Sequence, residues 1–275
     1  LAVRPLKGED SLLFFILKRV GMMVLTMLVT SIVLFLVLEI NIESLAVKVL
    51  GQFSTDEQRL LWLENNGYFR PVYIRYFEWL ARILQGDFGR SVVFQEEVSV
   101  LLWPRLARTG LLAGLVLAIA IPISIILGIL AGMKEGSLQD RSVSVLCIIT
   151  TSVPEFCSAT LISWVFVFSL KWLPGTSSMI SGFSWKEMIL PVLVLVIYDF
   201  GYIARMTRAS MAEVMQTQYI RTAHLKGLPF HKVVLQHGLR NSLIAPFTVI
   251  MLQIPWLLSG VIVTEYFFAY KGIGT

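Results

Sequence analysis

Between Leu12 and Leu38 the chain carries two charges, Lys18 and Arg19, and no proline. About 20 apolar residues suffice for a helix to cross the hydrocarbon core of a bilayer, so this run is long enough to span. A cleaved secretory leader is the competing reading, but the run is too long for one and lacks a small-residue cleavage site. Composition agrees: 56% of the 275 residues are hydrophobic and 15% charged, which excludes a soluble domain of ordinary make-up. In lipid the backbone must satisfy its own hydrogen bonds, so apolar spans of this kind form helices. The predicted fold class is an all-α polytopic membrane protein.

Four more apolar stretches follow: Leu111–Ala131, residues 143–170, a span starting near Met188, and residues 242–263. Basic residues fall at the N-terminus (Arg4, Lys7, Lys18, Arg19), after the second span (Lys134, Arg141) and after the fourth. The positive-inside rule then puts the N-terminus in the cytoplasm. The net charge of +5 sits in these short loops and speaks to topology, so nucleic acid is not an expected partner. Three regions result: 1–38 with the first span, an outer loop over 39–108, and a membrane core over 109–275. Gly110, Gly114, Gly128 and Gly132 are expected to mark close helix contacts, and Pro154 should kink the third span. Cys147 and Cys157 share one apolar segment and read as small hydrophobes.

The most informative stretch runs from Tyr202 to Pro246. Six basic residues, Arg205, Arg208, Arg221, Lys226, Lys232 and Arg240, stand against one acid, Glu213. Met211, Met215, Tyr219 and Ala223 recur every fourth residue, a helical period. Gly227 breaks it and Pro229 follows, the arrangement of a helix end and the first turn of a second helix. The segment reads as helix, sharp turn, helix.

The order of residues over 219–228 (YIRTAHLKGL) and 237–246 (HGLRNSLIAP) resembles the EAA loop of ABC importer permeases, the dipeptide, oligopeptide and nickel branch in particular. Ala223 and Gly227 hold the Ala-x-x-x-Gly spacing of that motif, whereas Arg221 and Thr222 replace its Glu and Ala. Gly86-Asp87-Phe88-Gly89-Arg90-Ser91 and Arg70-Pro71 are also similar to family signatures. Ile40-Asn41-Ile42-Glu43-Ser44 departs from the Pro-Gly-Asp element that relatives carry after the first span.

The resemblance implies an ABC type I importer permease fold with a coupling loop over about 205–241. Arg221, Thr222, Ala223, His224, Lys226, Gly227, Leu228 and Pro229 would dock on an ATP-hydrolysing subunit. It further implies a second permease chain, two ATP-binding subunits, an external solute-binding protein, a bacterial inner-membrane location and transport by alternating access. Relatives continue into one more span, so six spans are expected in the complete protein.

No Gly-x-x-x-x-Gly-Lys-Ser/Thr loop occurs, so ATP and magnesium are expected on partner subunits and no cofactor on this chain. His224, His231 and His237 share one loop but fit no short ligand spacing, so no metal is expected. Asp199 lies in the fourth span, where a carboxylate costs on the order of 3 kcal/mol unless it meets water or a partner. Either it lines the pathway and attracts a cationic group of the solute, or it pairs with Arg205 or Arg208. Glu155 reads as structural, and Glu265, at the outer boundary of the fifth span, is given no role. The reading is an ATP-driven importer permease for di- or oligopeptides. The alternatives are nickel or another small solute, an ion-gradient-driven carrier, and a membrane scaffold.

Overall fold

The structure, a computed structural model, describes residues 8–40, 42–91, 94–179 and 182–275, without the side chains of 8–11, 43 and 259. Arg4, Lys7 and Asn41, used above for topology and for the departure from the family, lie outside the described residues. The chain forms two compact units, Leu1–Leu101 and Leu102–Thr275. Among the described residues its regular structure is helical, with one isolated β-bridge between Arg90 and Glu97.

In the first unit α1 (Gly8–Glu39) contains the first predicted span. Two of its hydroxyls turn back onto the helix, Thr26 donating to the Met22 carbonyl and Ser31 to that of Leu28, both at 2.8 Å, so these two present no bare donor to lipid. The segment beyond is not an irregular loop. It folds into α2 (Ile42–Leu50), α3 (Asp56–Asn65) and α4 (Val72–Leu84). α3 starts at a capping box, the Thr55 hydroxyl and the Gln58 side chain each accepting from the other's backbone N–H. α4 follows Pro71 and packs on the end of α1 through Tyr76, whose hydroxyl lies 2.8 Å from that of Ser31. Phe35 meets Tyr76 edge-on at 5.4 Å between centroids.

The second long helix, α5 (Val98–Gly132), begins well before Leu111. Arg105 and Arg108 end the hydropathic signal, but arginine is a good helix former and does not end the helix. Pro104 and Pro122 are both absorbed within it. The third span is broken, not kinked: α6 (Leu138–Ser152) and α7 (Glu155–Ser163, extended by a π turn over Trp164–Ser169) meet at 101°. Val153 and Pro154 are both extended there, because proline removes a donor and forces its predecessor out of the helical region.

α8 (Trp185–Met215) organises the second unit. Its Met188, Val192 and Leu195 pack with Leu112 and Val116 of α5 and Leu257 of α12 (Ile244–Phe267). Leu190 and Val194 pack with Ala159 of α7, and Phe200 and Ala204 with Cys147 of α6. Of the four glycines expected at helix contacts, two make them within the chain. A Cβ on Gly132 would lie 2.6 Å from the Arg208 carbonyl oxygen, and one on Gly128 2.7 Å from that of Ala204, whereas Gly110 and Gly114 face open space. Among the described residues three helices are long and apolar enough to cross a membrane, and up to five spans result if each bent helix pair counts as one.

Candidate functional site

The expected continuous stripe Met211–Ala223 is interrupted. α8 ends at Met215, Thr217 is extended, and α9 is a separate helix of eight residues, Gln218–Leu225. Met211 and Ala223 are both buried, but on different helices. α9 turns Ile220 and Ala223 inward against Val233 and exposes Arg221, Thr222, His224, Leu225 and Lys226.

Its C-terminus is a Schellman motif: Gly227 N–H donates to the His224 carbonyl at 2.9 Å and Leu228 N–H to that of Ala223 at 3.4 Å. Gly227 sits at φ +77° with nothing near the place of a Cβ, a conformation glycine adopts without steric cost. Pro229 then starts the returning helix, which runs through α10 (Phe230–Lys232), a π turn (Val233–Gly238) and α11 (Leu239–Ser242). The structure therefore brings Arg221, Thr222, His224, Lys226 and Gly227 onto one exposed ridge. Leu228 is half-buried and Ala223 faces inward, where its small side chain lets α9 approach Val233. The His224 ring stacks on Phe230 at 5.9 Å. Among the described residues no three His, Cys, Asp or Glu side chains are grouped to hold a metal.

An ion cluster unseen in the sequence fastens the end of α8, just ahead of α9, to the turn between α5 and α6. Arg208 of α8 grips Asp140 with two bonds of 2.7 Å and reaches Glu135 at 3.4 Å. Gln216 donates to Glu135 at 2.7 Å, and the Gly136 N–H donates to Asp140 at 2.8 Å. Asp140 itself is 4% exposed. The available signal was Ser137 three residues ahead of an acid, a helix start: Ser137 caps α6 by accepting from the Asp140 N–H.

The pairing of Asp199 with Arg205 or Arg208 is therefore corrected. Arg208 is engaged by Asp140, and Arg205 lies over the Tyr202 ring at 5.5 Å. Asp199 is fully buried, and Gln253 of α12 donates to its Oδ1 at 2.6 Å, while Oδ2 has no partner among the described residues. Beside it Tyr198 and Trp256 stack at 4.7 Å. Glu155 accepts from the Thr264 hydroxyl, joining α7 to α12.

Glu265 has a place that the sequence reading did not give it. It is 1% exposed and accepts from the Thr109 hydroxyl and from Gly274 N–H. Ile273 N–H also donates to Thr109, and the Tyr270 hydroxyl donates to the Arg108 carbonyl at 2.7 Å. The segment after α12 is thereby folded over the end of α12 and onto α5 at Arg108 and Thr109.

A family model described as a binding-protein-dependent transport system inner membrane component matches residues 124–275, a span that includes Asp140, Asp199, α9 and the Gly227 turn. This chain belongs to that family. It is a permease subunit of an ABC importer, a multi-pass inner-membrane protein with no catalytic centre of its own. A putative peptide transport system permease protein of Brucella abortus is 34% identical over 263 residues, covering 94% of this chain and 84% of the relative. A probable peptide ABC transporter permease of Sinorhizobium fredii is 30% identical over 264 residues, with the same shares covered. The glutathione transport system permease protein of Salmonella choleraesuis is 31% identical over 263 residues, covering 96% of this chain and 85% of the relative. Family membership displaces the ion-gradient carrier and the scaffold as readings of the permease.

Proposed function

We propose that this permease is one half of the translocation pathway of an ATP-driven importer of di- or oligopeptides, working by alternating access with a second, different permease chain. The N-terminus and α9 face the cytoplasm, and an external binding protein delivers the solute. Two ATP-binding subunits carry ATP and magnesium. The peptide class rests on the names of the relatives above, and glutathione, itself a small peptide, falls within it.

The observation that carries the reading is the ridge on α9. A short helix buries Ile220 and Ala223, ends in a tight glycine turn and offers Arg221, Thr222, His224, Lys226 and Gly227 outward. Closure of the ATPase pair would push on this ridge, and the Arg208–Asp140 cluster would pass the movement to α6. Gly227→Trp places a large ring in the open space of the docking face, and Gly227→Ala, which carries the same strain at φ +77° without the ring, is its control. The expected result is a chain that inserts and assembles its helices normally but whose ATP-dependent uptake in proteoliposomes falls at least tenfold. Uptake at the parental rate would refute the docking role.

Asp199 is assigned to the pathway. Its unpartnered oxygen is the acceptor that a peptide's ammonium terminus would reach once α8 and α12 separate. Asp199→Asn keeps the Gln253 bond and removes the charge. Uptake of peptides with a free amino terminus should fall several-fold, and uptake of N-acetylated peptides should not change. Equal effects on both would remove Asp199 from solute recognition.

A further inference from the structure

The first unit forms a half-open cavity of about 710 Å³ at the Glu39 end of α1. Its floor is apolar, formed by Leu34, Phe35 and Leu38 of the last turns of the membrane-spanning helix. Its walls carry four arginines, Arg70, Arg75, Arg82 and Arg90, and two acids, Glu39 and Glu78. Both acids are consumed internally. Arg75 forms a two-bonded pair with Glu39 and stacks on the Tyr68 ring at 5.5 Å. Arg70 grips Glu78 with bonds of 2.9 and 2.8 Å. Burial and the Glu39 carboxylate, opposed by Arg75, push the Tyr68 phenol above its ordinary value.

Two guanidiniums remain. Among the described residues Arg82 has no ion-pair partner, and the Arg90 guanidinium is engaged through its Nε, which donates to the Gln95 carbonyl at 2.8 Å. The cavity thus presents a surplus of positive charge above an apolar floor. Glu39 ends the span, and Trp62, Tyr68 and Trp79 line the cavity together with it. Tryptophan and tyrosine gather where headgroups meet hydrocarbon. Below the cavity α1 is bare, with none of its apolar stretch buried in the chain.

We propose that this cavity is a binding site for an anionic phospholipid, the phosphate held by Arg82 and Arg90 and the acyl chains lying down the face of α1 below Leu34. Guanidinium forks suit a phosphate bidentately, and each basic residue near a membrane surface favours an anionic headgroup. A free solute oxyanion would use the same two arginines but would have no use for the apolar floor or for its continuity with a spanning helix. The site is independent of the coupling ridge and of what the importer carries.

The test is native mass spectrometry of the purified permease, delipidated and then titrated with phosphatidylglycerol or phosphatidylcholine of identical acyl chains. The parent should retain phosphatidylglycerol about tenfold better, and Arg82→Ala/Arg90→Ala should bring the two lipids to parity. Both internal ion pairs survive in that variant, which loses the Arg90 bond to the Gln95 carbonyl, and an unchanged denaturation midpoint checks that the unit keeps its fold. A parent that does not discriminate between the lipids overturns the proposal whatever the variant does. So does a variant that keeps the preference. Displacement of bound phosphatidylglycerol by millimolar inorganic phosphate, or by a tripeptide with a free carboxylate, would also overturn it by showing a site for free oxyanions.

Discussion

α1 and α8 are both apolar helices of more than thirty residues, and they do opposite things. α1 is the more apolar, and none of its apolar stretch is buried within the chain, whereas 67% of that of α8 is. In water the more apolar helix would take the core. In a bilayer the surroundings are as apolar as leucine, so hydropathy selects which segments cross and not which segments pack. Packing follows from what else the helix offers. α8 carries Gly201, Ala204, Thr207 and Ala212, which admit neighbours closely, together with Asp199 and Arg208, which bond to them. The apolar stretch of α1 has one glycine, Gly21, in open space, and the helix's bonds to a neighbour, Ser31 to Tyr76 and Glu39 to Arg75, lie toward its C-terminal end.

Breaking the strongest tie of α8 should have the largest effect. Arg208→Ala leaves Asp140 buried without its cation, and removing one partner of such a pair costs about 3 kcal/mol. A fall in the denaturation midpoint in detergent measures it, and recovery of most of the loss by Arg208→Met/Asp140→Leu would show that the penalty lies in the orphaned charge. The same substitution in the two regions sharpens the contrast. Gly132→Ala drives a methyl into the Arg208 carbonyl and should destabilise the chain by about 2 kcal/mol. Gly21→Ala meets nothing and improves helix propensity, so a gain of about 0.5 kcal/mol is expected in the same assay. If Gly21→Ala keeps this stability yet no longer co-purifies with a second permease, the bare face of α1 is a subunit interface.

Some of the molecule could be read residue by residue. The Gly227 turn and the helix start at Pro229 were visible because glycine and proline act locally, through φ and a missing donor. The break between Met215 and Gln218 was not, since Met211, Met215, Tyr219 and Ala223 keep a perfect period across it. Pro154 showed that the third span is interrupted, but not that its halves diverge by 101°. The helices of residues 42–84 were hidden by charge: a polar, aromatic-rich stretch looks like a loop until Tyr76 finds Ser31 and Arg75 finds Glu39. Glu265 looked like an ordinary boundary residue because its partners Thr109 and Gly274 lie on other segments.

By itself the sequence determined the class of the protein, because bilayer thickness sets the length of an apolar run and composition decides solvent. It also determined the position and chemistry of the Gly227 turn and of the helix start at Pro229, because both are local. Only the tertiary structure decided which carboxylate meets which partner: Asp140 with Arg208, Asp199 with Gln253, Glu265 with Thr109. A buried charge takes whichever donor the packing of separate helices brings within about 3 Å, and spacing along the chain does not encode that distance.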